Sequence, residues 1–214
     1  MNRMNSLVTR IDELIEKHSL LKHQFYVMWN EGMLTRESLS GYSKEYFQLV
    51  KEVPAFVGMI MECASHDKDT IAANQKEESE HIKPWMKFAA SLGVSQRELE
   101  EYDGLEKTKH AVTNLSKLMT TLEGGAAAMY ALEQEIPKIS LSKIDGLRKF
   151  YNITTDDAIE YFRLHIEADI RHAALWRRIL DKTPVENEEE LFTIASKSVS
   201  AQNMLLDSCY EAYC

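Results

Sequence analysis

Two histidines and an aspartate, His165, Asp169 and His172, are spaced H-x3-D-x2-H within a strongly helical stretch of this chain. At about 100° per residue, positions i, i+4 and i+7 fall within about 60° of one another. An α-helix therefore carries both imidazoles and the carboxylate on one face. Ile166, Ala168, Ile170 and Ala173 surround them in the sequence. Polar groups in apolar surroundings are costly unless something compensates them, and a shared metal ion is the simplest compensator. The competing reading is an exposed polar stripe on a solvated helix.

A metal site in a helical bundle is completed by Glu or His from facing helices, often as an E-x-x-H pair. Two stretches offer such donors. In the first, Glu77 and Glu78 precede His81 by four and three residues, so either glutamate can join His81 at one ion. The same K-E-E-S-E-H run also reads as a solvated charged face. The second is Glu133, which ends the apolar run AAAMYALE and so needs a partner if it is buried: a metal, or a lysine in a salt bridge. Glu135 lies on another face and is expected to be exposed.

The candidate set is His81, His165, His172, Glu133, Asp169 and one of Glu77 or Glu78. Three carboxylates against two divalent ions leave a net charge of about +1 with coordination positions still open. Nitrogen and oxygen donors without thiolate favour iron or manganese over structural zinc, and open positions on iron suit O2 chemistry. A hydrolytic metal pair has less support from this donor mix.

These residues must be positioned by a helical scaffold. The chain has 214 residues, enough for one domain spanning 1–214, with 44% hydrophobic and 28% charged residues and only 8 Gly and 4 Pro. A formal net charge of -9 without a basic patch argues against nucleic acid as a partner. Three cysteines without C-x-x-C spacing argue against a disulfide framework or zinc knuckle. No secretory signal or apolar run long enough to span a bilayer occurs, so a soluble, cytoplasmic protein is expected.

Periodicity and capping residues predict helices over residues 5–19 and 21–29, the second stopped by Gly32, and a third opened by Thr35 and running to Lys51. Beyond a break at Pro54, helices follow over 55–65 and 70–91, the latter kinked at Pro84 and ended by Gly93. Ser95 and Glu98 form a capping box for a short helix to Tyr102. A long apolar helix is expected from 108 to 136, stopped by Pro137, and a short one over 142–151. Residues 154–157 cap the helix carrying H-x3-D-x2-H, which Thr183 and Pro184 end, and 186–210 form the last. The predicted architecture is an all-α bundle of seven or more helices.

Several motifs give the chain a family likeness: HQFYVMW at 23–29, LTRE at 34–37, YSKEY at 42–46, WMKF at 85–88, ASLG at 90–93, EQEIP at 133–137 and KIDGL at 143–147. With the H-x3-D-x2-H run, the chain resembles the haem-oxygenase-like dimetal oxidases, most closely the CADD-like proteins, named for chlamydial proteins associating with death domains. The resemblance covers nearly the whole chain and implies the helical fold shared with thiaminase II (TenA) and the PQQ synthase PqqC. It implies Glu133, His165, Asp169 and His172 as metal ligands, and His81 as the histidine of the family's E-x6-H motif. Seven residues before His81 stands Asn74 rather than glutamate, so this segment departs from the pattern. Glu77 takes the missing ligand's place if the segment is shortened between the glutamates and the histidine. Glu78 does so if it follows the E-x-x-H form of related fatty-acid decarboxylases.

The resemblance further implies synthesis of 4-aminobenzoate for folate from one of the protein's own tyrosines. A dimetal centre (Fe/Fe or Fe/Mn) and O2 would supply the oxidant. The matching tyrosines are Tyr26 and Tyr42, and the matching nitrogen donor is Lys143. The residues alone also allow Tyr26 as a core aromatic and Lys143 as a surface residue. A homodimer is expected, and death-domain binding follows from the resemblance only. Rival functions are a dimetal oxidase acting on an external amino acid or fatty acid, and a metal-free thiaminase-like hydrolysis. The latter needs a cysteine nucleophile, and Cys63, expected to be buried and inert, is the sole cysteine far from the C-terminus.

Overall fold

In the computed structural model, residues 6–214 are described, and among them eleven α-helices and no strand occur. These are α1 Leu7–Lys17, α2 Gln24–Glu31, α3 Arg36–Val50, α4 Val53–Cys63, α5 Lys68–Ser91 and α6 Gln96–Glu101. They continue with α7 Glu106–Ser116, α8 Leu122–Glu133, α9 Ile136–Phe150, α10 Asp156–Leu180 and α11 Glu188–Tyr213. The expected start of the first helix at residue 5 lies outside the described residues. Among the described residues no helix is long and apolar enough to cross a membrane.

The capping signals of α3 and α6 operate as the sequence leads one to expect, whereas Thr155 starts α10 without a side-chain capping hydrogen bond. Thr35 and Ser38 close a capping box on α3, and Ser95 with Glu98 does the same on α6. Gly32 ends α2 at φ 72°, a conformation that costs a side-chain-bearing residue energy. Helix α10 carries Asp156 and Asp157 in its first turn and Arg177 and Arg178 in its last, matching the helix dipole at both ends.

The long helix expected over 108–136 is instead two, α7 and α8. The Thr121 hydroxyl accepts the Gly124 N–H at 3.0 Å and starts a new helix, leaving 117–121 as a turn. Pro137 does not act as a stop either. It sits in the first turn of α9, where its missing N–H has no helical acceptor to lose, so α9 begins six residues earlier than expected.

Helix α10 packs against α5, α8 and α9, and α8 lies between α10 and α11 while also touching α4. The residues of α8 are buried on every side apart from the partly covered Glu123. Its small residues permit this: a Cβ on Gly125 would lie 2.3 Å from Ile60 Cγ1 of α4. An all-round apolar helix is the natural occupant of a bundle's centre. Indole nitrogens tie the surrounding helices together. Trp85 donates to the Ser43 carbonyl (2.9 Å), joining α5 to α3, and Trp29 donates to the Lys143 carbonyl (3.2 Å), joining α2 to α9.

Candidate metal centre

Three helices bring the donors together. His165, Asp169 and His172 come from α10, Glu78 and His81 from α5 and Glu133 from the end of α8, none more than 6% exposed. Their ligand atoms form two groups that share Glu78. Glu78, His81 and His165 make one group; Glu78, Glu133, Asp169 and His172 make the other. Within each group the atoms all lie within 4.8 Å of one another. His172 Nδ1 stands 3.0 Å from Glu78 Oε1 and 3.6 Å from Asp169 Oδ1, and His81 Nδ1 stands 3.6 Å from Glu78 Oε2.

The sequence neighbours expected to provide the apolar surroundings do so only in part: Ala168 is buried, and Ile166 and Ala173 are half-buried. Ile170 is 61% exposed, because α10 turns its polar face inward at this level. Glu135 departs from expectation too. It is half-buried and accepts hydrogen bonds from the Ser19 hydroxyl and from the Leu20 N–H (3.0 Å), so it pins the start of the turn before α2.

The donor set fits a metal pair. His81 Nδ1, Glu133 Oε1, Asp169 Oδ2 and His172 Nδ1 are buried with no hydrogen-bond partner. Each orphaned buried polar group costs about 1–3 kcal/mol, more when charged, and cations bound between them satisfy all four. Nitrogen and oxygen donors without sulfur suit iron or manganese.

Electrostatics agree. Burial drives the Glu133 carboxyl well above its ordinary range against the pull of His172, and raises Asp169 against the pull of His165. Burial acts on Glu78 in the same sense, yet the adjacent His172 and His81 imidazoles hold it below the usual carboxylate range. His172 shows the converse: burial opposes its charge, but Asp169 and Glu78 push it up to about 11. Protons thus neutralise part of the cluster, and divalent cations take their place on binding.

Of the two candidate glutamates, Glu78 joins both groups and Glu77 joins neither. Glu77 is partly exposed; its Oε2 lies 3.1 Å from His172 Nε2 and accepts from Arg171 at 2.9 Å. Adjacent helix positions point about 100° apart, so only one of the pair can face the cluster. Asn74, at the place of the family glutamate, is buried with neither side-chain atom hydrogen-bonded.

Beside the cluster lies a cavity of about 40 Å³ whose wall includes Glu78, Asp169, Tyr46, Tyr161 and Lys143. Lys143 is buried rather than on the surface. Its Nζ donates to the Tyr42 hydroxyl at 2.5 Å, and the Tyr42 and Tyr26 hydroxyls are 3.1 Å apart. The same nitrogen lies 4.6 Å from the Tyr26 ring centroid and 5.0 Å from those of Tyr42 and Tyr46. Burial lowers the Lys143 pKa to about 7 and raises both Tyr26 and Tyr42 well above the ordinary phenol value. The result is an amine close to half-deprotonated at neutral pH against two firmly protonated phenols.

Sequence reasoning missed two wall residues, Tyr46 and Tyr161. A signal existed for both: Tyr46 lies one turn beyond Tyr42, and Tyr161 one turn before His165. The Tyr161 carbonyl accepts from His165 Nδ1 at 2.8 Å, which leaves His165 Nε2 free to face the cluster. Cys63 is not the buried thiol expected. It is exposed at the end of α4, does not line the cavity, and is poorly placed as a nucleophile for it.

The chain is similar to known proteins in sequence and in fold. A family model described as an iron-containing redox enzyme matches residues 42–203. The 4-aminobenzoate synthase of Nitrosomonas europaea is 31% identical, over 98% of this chain and 93% of that protein. The 4-aminobenzoate synthase of Chlamydia trachomatis is 28% identical over 97% of each chain. Among solved structures, a TenA homologue from Pseudomonas syringae superposes with TM-score 0.80 at 16% identity, covering 99% of each chain. A CADD-like protein from Nostoc punctiforme gives TM-score 0.75 at 16% identity over 97% of each, a likeness of fold alone. This chain belongs to the haem-oxygenase-like family of iron-containing redox enzymes and is a CADD-like member of it.

Proposed function

We propose that this chain is a 4-aminobenzoate synthase, a dimetal-dependent oxygenase that takes the aromatic ring from its own Tyr26–Tyr42 pair and the nitrogen from Lys143. The observation that carries this reading is the contact chain from the cluster-side cavity through Lys143 Nζ to the Tyr42 and Tyr26 hydroxyls. The size of the cavity supports an internal substrate. About 40 Å³ holds a few water molecules at most, far less than the several hundred Å³ typical of a small-molecule site. The relatives named 4-aminobenzoate synthase supply the product.

In this reading Glu78, His81 and His165 hold one ion, and Glu78, Glu133, Asp169 and His172 the other, as an iron pair or an iron–manganese pair. When bound, the metals supply the activation of O2 that oxidising a tyrosine side chain requires. The residues of the chain do the rest. Burial keeps Lys143 near neutrality so that its nitrogen carries a lone pair, and the Tyr42 hydroxyl fixes where that nitrogen sits. Trp29, Tyr46 and Phe162 crowd the ammonium position and exclude water from it. In the product, the ring and one side-chain carbon come from tyrosine and the Lys143 nitrogen replaces the phenol oxygen. The tyrosine Cα–Cβ bond and the Lys143 Cε–Nζ bond therefore both break, with O2 as the oxidant that takes the side-chain carbon to a carboxylate.

Intact-mass measurement after anaerobic loading with Fe(II), then reductant and O2, tests the proposal. Loss of one tyrosine side chain, mapped by peptide analysis to Tyr26 or Tyr42, and loss of the Lys143 amine nitrogen are expected together with 4-aminobenzoate in solution. Protein labelled with ¹⁵N-lysine should release ¹⁵N product. An unchanged chain that turns over an added amino acid or fatty acid would point to the external-substrate alternative instead.

A further inference from the structure

Glu77 touches the metal centre through His172. A neutral imidazole has one N–H, and which nitrogen keeps it is set by the hydrogen bond the ring makes. His172 Nε2 lies 3.1 Å from Glu77 Oε2, and a carboxylate accepts and never donates, so the proton belongs on Nε2. Nδ1 then faces inward, 3.0 Å from Glu78 Oε1, and is the nitrogen left for a cation. His165, seven residues earlier on the same helix, is fixed the opposite way. Its Nδ1 donates to the Tyr161 carbonyl, which frees Nε2. The two histidines of α10 thus present different nitrogens, and an acceptor outside the cluster selects each one. Glu77 is itself held in place, because Arg171 donates to the same Oε2 at 2.9 Å.

We propose that Glu77 is a positioning residue of the metal centre rather than a ligand: by accepting the Nε2–H of His172 it reserves Nδ1 for the cation and fixes the plane of the ring. The inference rests on the metal-centre reading above. An acceptor of this kind is worth about 10–100-fold in metal affinity. The doubled glutamate of this segment then has a division of labour, with Glu78 facing the ions and Glu77 facing the back of the histidine that meets one of them.

The test is anaerobic titration of metal-free protein with cobalt(II) alone, followed by its visible absorption. Wild type, Glu77→Ala, Glu77→Gln and the exposed control Glu80→Ala are compared. Wild type and Glu80→Ala should bind two equivalents alike. Glu77→Ala should still bind two, with one step weakened about 10–100-fold. Glu77→Gln should recover most of that loss, since an amide oxygen can still accept the Nε2–H. Two-bond ¹H–¹⁵N spectra of zinc-loaded, ¹⁵N-histidine-labelled protein should show His172 protonated at Nε2 in wild type and Glu77→Gln. Wild-type affinities in Glu77→Ala overturn the proposal, and so does loss of one whole equivalent, which would make Glu77 a ligand. A wild-type protein that takes up no cobalt overturns the metal-centre reading itself. Thermal melting of the glutamine variant guards against misfolding of the alanine one.

Discussion

Lys143 Nζ sits 2.5 Å from the Tyr42 hydroxyl oxygen, fully enclosed, and none of the ion pairs among the described residues includes it. A lysine so placed destabilises the fold, and it is tolerated here because its amine can shed its proton. The energetic consequence has a definite sign. The folded-state pKa of about 7 lies below the ordinary lysine value of 10.5, so the unfolded chain binds the proton more tightly. Between those two values stability rises with pH; below about pH 7 both states carry the proton and the penalty is complete. Lys143→Met should therefore stabilise the metal-free protein by a few kcal/mol at about pH 6 and by much less above about pH 10. Urea denaturation at the two pH values measures this; a gain independent of pH would mean that the amine is not desolvated. The same variant should release no 4-aminobenzoate.

His172 serves one of the two donor groups, and Glu78 serves both. His172→Ala is expected to remove at least one equivalent of metal, and Glu78→Ala to reduce binding to both positions. Metal analysis of protein purified with iron or with manganese gives the stoichiometry directly. Bound metal should also raise the melting temperature of wild type in proportion to the logarithm of free metal, an effect reduced in both variants. Full occupancy in His172→Ala would remove the basis of the two-ion scheme.

Tyr42→Phe takes away the hydroxyl that accepts from Lys143 and pairs with Tyr26. Two buried polar groups lose a partner, and the expected cost is about 1–3 kcal/mol. Tyr26→Phe leaves the Lys143–Tyr42 bond in place and should cost less. If either side chain is the consumed ring, the corresponding variant loses product outright, whereas the other shows only a reduced yield. Chemical denaturation and product chromatography on both variants separate the structural role from the sacrificial one.

Trp176 on α10 donates its indole N–H to Glu133 Oε2 at 2.6 Å, while Oε1 of the same carboxylate has no partner. Trp176→Phe keeps most of the packing and leaves both oxygens unsatisfied. A loss of about 1–3 kcal/mol is expected in metal-free protein, shrinking when metal is bound because a cation then satisfies the carboxylate. Comparing melts with and without Mn(II) checks this; an equal loss in both states would show that the indole acts through packing alone.

The helices and most of their boundaries were legible in the sequence because caps, stops and 3.6-residue periodicity are local properties. The exceptions were local conflicts settled by packing. Residues 117–121 turn although Leu118 and Met119 lie among them, since α7 and α8 each bury a face against α11. Pro137 opens a helix where it was expected to close one, because proline suits a first turn as well as it ends a last one.

His165, Asp169 and His172 were readable as one face from spacing alone, since helix geometry fixes the relation of i, i+4 and i+7 regardless of context. Glu133 stood out as a carboxylate at the end of an apolar run. The choice between Glu77 and Glu78 was not contained in the sequence: neighbours on a helix diverge by about 100°, and the roll of α5 against α10 decides which one faces in. Nor was the burial of Lys143, which lies between Ser142 and Ile144 and is enclosed only because α9 lies over the aromatic side chains of α2 and α3. Sequence determines what an element can present within its own few turns; the packing of helices distant in the chain decides which of those groups meet.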